Sequence, residues 1–498
     1  MRILLINPII RISEAPAYFP LGLAYIAAVL EREGHEIEVL DINAYRYSPE
    51  EVEAKIRKAE YDCAGISSFI TEYHQIKWLA DKLKKYHLGK DVILGGGLAS
   101  AAPEFILQNT KIDVAVVGEG EMTIKELLSS MSDRADITKV KGLIFKKGNK
   151  LVKTGHREYL FDLDSLPLPL YDKFPVEIYA KGEKGQYFYY PARTISIITS
   201  RGCPYRCVYC YHGISGYKWR KRSAASIVDE MVHLKQEYGL DGIVFSDDTF
   251  VLDRARVIEL CAMIRKRKIS LKWSCNGRVN LIDEDLLKEM KSAGCVCIGY
   301  GIESGSQKIL DNMKKGFSVQ EAERAVLMTK KAGIRAIAYF MIGMIGETQK
   351  TINETVRFCK RIVNQTGFSI TTPFPGTELY DYALEKKMLP SFEIMLKKWS
   401  IWNSNILVNL SQLSDEKLLL AKDKAEKEIN SVVINKKNEI FWFISEFGVI
   451  LTLKRLLSFF LRKIYPEREA LKKDQDFIKR QQSVWRNILS GESSEEHE

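Results

Sequence analysis

A chain of 498 residues is too long for one ordinary core, and its length predicts about three domains. With 46% hydrophobic and 28% charged residues it reads as globular rather than disordered. The net charge of +10 is carried by scattered doublets such as Lys84-Lys85, Lys314-Lys315 and Lys330-Lys331, which read as solvated helix faces. No basic stripe with interleaved aromatics is present, so nucleic acid is not an expected partner.

The first ~145 residues alternate short apolar runs with helix-period segments, the pattern of a parallel sheet with crossover helices. Arg2–Ile6 is a buried-type strand ended by Pro8, and a helix over Leu21–Glu33 stops at Gly34. Strand Glu36–Leu40 follows, and Ser48-Pro49-Glu50-Glu51 is a capping box opening a helix that runs to Lys58. Further strands are expected at Cys63–Ser67, Val92–Leu94 and Val114–Val117, with a helix between the first two that places Ile76, Leu79 and Leu83 on one face. These strands run into Ser67-Ser68, Gly95-Gly96-Gly97 and Gly118-Glu119-Gly120-Glu121, and open parallel sheets bind ligands at such carboxyl ends.

The pattern breaks over 146–193, where Leu166-Pro167-Leu168-Pro169 and the aromatic stretch Tyr187–Tyr190 read as an interdomain linker. Alternation resumes over 194–385, with strands ending near Ser200, Asp247, Asn276, Glu303, Met344 and Thr372. Six strand–helix units make a partial barrel rather than a closed one of eight. Residues 386–498 are helix-forming and charged, except for the apolar segment 440–464, which Glu446, Lys454 and Arg455 make a poor transmembrane span. A packed core helix and an amphipathic helix lying on a membrane surface are both open for it.

Nine cysteines are an odd number, and Cys203, Cys207 and Cys210 crowd into one loop, which is no disulfide framework. A reducing compartment follows. The start of the chain lacks the apolar region and cleavage site of a signal peptide, so a cytoplasmic location is expected, with membrane association left to the apolar segment. Three thiolates can hold three irons of a cubane cluster and leave the fourth open for chemistry. A structural zinc site is the competing reading, but zinc prefers four ligands and His212 follows Cys210 too closely to be an obvious fourth. Cys295 and Cys297, two apart on a strand, are expected on one face as small buried hydrophobes.

The run Cys203-Pro-Tyr-Arg-Cys207-Val-Tyr-Cys210 resembles the cluster loop of the radical S-adenosylmethionine (SAM) enzymes. Thr199–Pro204, Arg220–Ser223, Phe245–Phe250, Gly299–Ser306, Gly343–Thr348 and Thr372–Tyr380 are similar to further blocks of that family in the expected order. Ile345 departs from the proline that often precedes the glycine at that point. The resemblance implies that Cys203, Cys207 and Cys210 bind one 4Fe–4S cluster and that SAM chelates its open iron. It implies that Tyr209, Asp247, Asp248, Arg278 and Glu303 contact SAM.

Asn7-Pro8, Pro20, Ser67-Ser68, Gly95-Gly96-Gly97 and Gly118-Glu119-Gly120 resemble the cobalamin-binding domain fused to one large radical SAM group, which contains C-methyltransferases and the anaerobic porphyrin ring cyclase type. There is no Asp-x-His-x-x-Gly loop, and Leu98-Ala99-Ser100 stands where a histidine often follows the glycines, so no histidine ligand to cobalt is expected. The expected fold is thus α/β: a Rossmann-like cobalamin-binding domain (1–145), a linker, a partial (β/α)6 TIM-type barrel (194–385) and a C-terminal helical region. The resemblance implies an enzyme that methylates an unactivated carbon; radical cyclisation or rearrangement is the alternative, and a non-catalytic cobalamin or cluster sensor is the reading outside enzymes. Expected partners are a small-molecule or lipid substrate and a low-potential electron donor of the flavodoxin or ferredoxin type. No catalytic residue is assigned.

Overall fold

A computed structural model describes residues 1–10, 16, 18–133, 135–180, 193–362, 367–399, 406–430, 485 and 488. Two parallel sheets organise it. In the first, β1 (Arg2–Asn7), β2 (Glu36–Asp41), β3 (Cys63–Ser68), β4 (Asp91–Gly96) and β5 (Val114–Val116) run parallel in the order β2-β1-β3-β4-β5. β6 (Leu143–Lys147) and β7 (Lys150–Lys153) extend the edge antiparallel, carrying this sheet past the expected boundary at 145. The apolar run of β1 is buried on both faces: Ile3 and Leu5 pack with the helices Leu21–Arg32 and Glu121–Ser132, while Leu4 and Ile6 pack with Pro49–Lys58 and Tyr73–Tyr86. Strand order reverses between β1 and β3, which opens a crevice at their carboxyl ends.

The second sheet is built from β8 (Thr194–Ile197), β11 (Gly242–Phe245), β12 (Lys272–Gly277), β13 (Cys295–Glu303), β14 (Arg335–Ile342) and β15 (Phe368–Ile370), all parallel and adjacent in chain order. Between β8 and β11 a short antiparallel hairpin, β9 (Ser200–Arg201) and β10 (Arg220–Lys221), brackets the cysteine loop. This is the expected six-stranded partial barrel, with its helices outside. A bulge in β13 overturns one expectation: Cys295 pairs with Trp273 and Cys297 with Ser274, so the extra residue Val296 turns the two cysteines to opposite faces. Cys295 joins the main core, and Cys297 a small separate cluster with Val244 and Val296.

The segment expected to be a linker is packed structure as far as residue 180. Tyr171, Phe174 and Tyr179 gather around Phe19 at ring distances of 5.2, 5.5 and 5.6 Å. The hydroxyl of Tyr179 donates to Asp41 and accepts from Asn7 at 3.0 Å. The aromatic stretch Tyr187–Tyr190 lies outside the described residues. In the C-terminal region the helices Phe392–Trp399 and Asp415–Asn430 return to the body of the protein. Phe392 meets Phe105 edge-on at 4.7 Å, and buried Trp485 packs on Trp78 and donates to the Tyr47 carbonyl at 3.1 Å. The apolar segment 440–464 is outside the described residues, among which no helix is long and apolar enough to cross a membrane.

Candidate functional site

The cysteine loop is shaped by contacts its own sequence provides. Gly202 sits at φ +79°, and a Cβ there would lie 2.5 Å from the carbonyl oxygen of Lys218, so only glycine lets the two arms of the hairpin close. The Cys203 amide donates to the Gly216 carbonyl (3.4 Å), Cys210 N to Cys207 O (3.1 Å), and Val208 N to Met313 O (3.2 Å). The loop is thereby pinned to its hairpin and to the segment after β13. All three cysteines are free thiols. The Cys207 thiol is drawn down, first by its hydrogen bond with Cys210 and, against the effect of burial, by Lys315 and Arg278. Among the described residues no three His, Cys, Asp or Glu side chains converge on a single-ion position, and the three free thiols on one loop fit the larger cubane instead.

Beside the loop, Tyr209 donates to Glu303 at 3.2 Å and accepts from Lys315 at 3.0 Å, and Lys315 lies 3.7 Å from Glu303. Glu303 follows a bulge in β13 and is held at φ +73°, a left-handed conformation that costs about 1 kcal/mol or more for a non-glycine residue. Burial pushes its carboxyl up, and Lys315 opposes this. Lys315 corrects the reading of Lys314-Lys315 as a solvated doublet: it is only 5% exposed, while Lys314 pairs at the surface with Glu378. A charge doublet carries no signal that distinguishes the two. Arg278 follows β12, stacks on Tyr205 at 3.5 Å and on Phe317 at 5.2 Å, and donates to the Lys315 carbonyl; its buried Nε has no partner.

The adjacent aspartates have separate fates. Asp247 is 1% exposed and heavily engaged: it accepts from Thr199 N at 2.7 Å, from the Thr199 and Ser200 hydroxyls, and lies 3.7 Å from Arg256. Most of its acceptor capacity is thus spent inside the protein, which sets it apart from its neighbour. Asp248 is solvent-exposed, yet the protein around it and then Asp247 push its carboxyl up. Among the described residues it has no hydrogen-bond partner, and an ammonium would suit it.

At the crevice of the first sheet, Gly96 sits at φ +93° with its Cβ position 2.6 Å from the Ser68 carbonyl oxygen, whereas a Cβ on Gly95 would meet nothing within 4 Å. The Ser68 hydroxyl is taken by the Gly95 carbonyl at 2.7 Å. Ser67 precedes it on β3, Gly97 opens the short helix after β4, and Pro20 caps the helix Leu21–Arg32 through its carbonyl. Asn7 and Pro8 are buried, and the Asn7 amide is committed to Asp41 (2.9 Å) and Tyr179, so Asn7 tethers the linker rather than lining open space. Two residues missed in the sequence lie at this end. Glu72 (3% exposed) accepts from Phe69 N with one oxygen and has no partner for the other, and burial pushes its carboxyl to about 8. Gln75 accepts from Ile9 N at 2.7 Å and leaves its amide nitrogen unpaired. Glycine-walled space edged by orphaned polar groups fits a ring bearing amide side chains, as a corrin does.

The loop Gly118-Glu119-Gly120-Glu121 joins the two sites. Gly118, at φ +83°, passes the Ile214 carbonyl with its Cβ position 3.8 Å away. Glu119 forms a bidentate pair with Arg220 (2.7 and 2.8 Å), and Glu121 pairs with Arg201 at 2.6 Å. Gly120 packs toward Ile26. Glu119, expected at a cofactor, is thus engaged in clamping the β9–β10 hairpin onto the first sheet.

Residues 197–359 match the radical SAM superfamily, and residues 9–128 match the B12 binding domain. An uncharacterized methyltransferase of Pyrococcus horikoshii is 33% identical over 373 residues, covering 74% of this chain and 79% of that protein. The anaerobic magnesium-protoporphyrin IX monomethyl ester cyclase of Rubrivivax gelatinosus is 26% identical over 407 residues, 79% of this chain and 72% of that one. The solved structure of TsrM, a radical SAM methyltransferase of Kitasatospora setae with tryptophan and a SAM analogue bound, shares the fold at a TM-score of 0.66 and 24% identity, covering 77% of this chain and 76% of that one. With two family domains in this order and a relative of that similarity over most of both chains, the protein belongs to the radical SAM enzymes that carry a B12-binding domain, whose cofactors are a 4Fe–4S cluster, SAM and cobalamin.

Proposed function

We propose that this enzyme methylates an unactivated carbon of a small molecule, using one cluster held by Cys203, Cys207 and Cys210. The observation that carries the reading is the seam: the hairpin holding the cysteine loop is clamped through Arg220 and Arg201 onto the loop Gly118–Glu121 at the mouth of the corrin crevice. When bound, the cluster and SAM supply a 5′-deoxyadenosyl radical that removes a hydrogen atom, and cobalamin supplies the methyl group.

The chain's own residues position and insulate. Asp248 offers its free carboxylate to the SAM ammonium, and Asp247 anchors the end of β8 behind it. Arg278, already braced on Tyr205 and Phe317, has an unpaired Nε for a carboxylate. Tyr209, Glu303 and Lys315 form a buried hydrogen-bonded wall beside the loop, with Glu303 and Tyr209 placed for the nucleoside. Gly95, Gly96, Glu72 and Gln75 receive the corrin and its amides. Similarity to the Rubrivivax cyclase keeps radical cyclisation as a second reading.

The test is anaerobic incubation of the reconstituted protein with SAM, a strong reductant and methylcobalamin, with products read by mass spectrometry. Cobalamin-dependent S-adenosylhomocysteine alongside 5′-deoxyadenosine supports methylation; 5′-deoxyadenosine alone favours cyclisation. A Cys203→Ala protein that still forms 5′-deoxyadenosine would refute the cluster assignment.

A further inference from the structure

The cysteine loop has two sides. Tyr209 and Cys210 face inward toward Glu303 and Lys315, while Arg206, immediately before Cys207, is exposed. Arg206 lies over the ring of Tyr217 at 4.5 Å, and Tyr217 is 43% exposed. The next residue, Lys218, is exposed and sits 5.5 Å from the ring of Phe161, itself 61% exposed. Two outward aromatic rings, each topped by a cation, thus form one strip along the hairpin. Neither Arg206 nor Lys218 has a carboxylate partner among the described residues. The neighbouring acids are engaged: Asp253 with Lys221, Glu119 with Arg220, and Asp162 and Asp164 with backbone amides.

The strip is also the outer wall of the cluster loop. Lys218's carbonyl lies against Gly202, and Gly216's carbonyl holds the Cys203 amide. An electron arriving at Tyr217–Lys218 is within a residue or two of the thiols on both sides of the loop, and electron transfer falls steeply with distance. Exposed rings with a cationic rim have the anatomy of a small, salt-sensitive interface, and a chain of net charge +10 attracts acidic partners.

We infer that Phe161, Arg206, Tyr217 and Lys218 form the docking surface for a small acidic one-electron carrier protein, which reduces the cluster from outside while SAM and substrate occupy the inner side. In the step, one electron leaves the reduced carrier and enters the oxidised cluster, with no atom or proton transferred. The inference rests on the cluster reading proposed above.

The test compares two donors on the reconstituted full-length protein: an acidic flavodoxin hydroquinone and reduced methyl viologen, a small cation that needs no docking surface. Cluster reduction is followed by stopped-flow bleaching and the carrier's affinity by calorimetry. Arg206→Glu combined with Lys218→Glu should slow reduction by flavodoxin about tenfold or more at low salt, with the gap closing as ionic strength rises. It should leave reduction by methyl viologen within about twofold. Phe161→Ser, which changes no charge, should weaken flavodoxin binding without altering the salt dependence. Equal flavodoxin rates in wild type and variants, or an equal loss with both donors, would overturn the docking surface. A wild-type protein that viologen cannot reduce would instead remove the cluster reading beneath it.

Discussion

The Glu119–Arg220 pair is the connection on which the seam depends, and its worth can be worked from its geometry. The two side chains are 9% and 1% exposed and share hydrogen bonds of 2.7 and 2.8 Å. Breaking a buried ion pair from one side typically costs about 3–5 kcal/mol, because the other charge stays buried and unpaired. Arg220→Met leaves Glu119 with Arg201 at 3.5 Å, so the lower end, about 3 kcal/mol, is expected. Glu119→Met leaves Arg220 with neutral carbonyls alone, those of Leu160, Ser215 and Lys218 at 2.9, 3.0 and 3.3 Å, and should cost about 4 kcal/mol. The double variant buries neither charge and should cost about 2 kcal/mol or less, well below the sum. Urea unfolding followed by circular dichroism gives the three values, with the slope checked for unchanged surface exposure. Single variants within about 1 kcal/mol of wild type, or costs that simply add, would show that the pair does not hold the seam. Weaker cobalamin binding by Glu119→Met at unchanged stability would return this residue to the cofactor.

Other expectations follow from the same contacts. Asp248→Asn should keep the fold and weaken SAM binding by about tenfold or more, whereas Asp247→Asn should lower stability through its lost partners Thr199, Ser200 and Arg256; equilibrium binding and unfolding on both variants separate the two. Gly202→Ala places a Cβ against the Lys218 carbonyl in a left-handed backbone, so the loop must shift, and iron bound per chain after reconstitution should fall. Burial raises Glu347 from 4.5 to about 7 and Glu72 from 4.5 to about 8, so between those values the folded chain binds more protons than the unfolded one and stability falls as pH rises. The loss is at most about 3 kcal/mol for Glu347 and about 5 kcal/mol for Glu72, and Glu347→Gln should flatten the pH 5–8 stability profile; an unchanged slope would refute the assignment.

Much was legible in the sequence because it is local. Strand–helix alternation, the capping box at Ser48, glycines at strand ends and the spacing of Cys203, Cys207 and Cys210 are all set within a few residues of chain. They sufficed for two parallel sheets, six barrel strands and the place of the three-cysteine loop between the first two of them. What depends on partners distant in the chain was decided by tertiary structure. Lys315 looks like any surface lysine until β13 brings Glu303 and Tyr209 beside it, and Asp247 and Asp248 differ only in which of them meets Thr199 and Arg256. Glu119 becomes a clamp because Arg220 arrives from another sheet, and a single bulge at Val296 sends Cys295 and Cys297 apart although strict alternation would keep them together. Spacing along the chain determines which side chains share an element; burial and charge pairing are properties of the neighbours that packing supplies, and no local pattern encodes them.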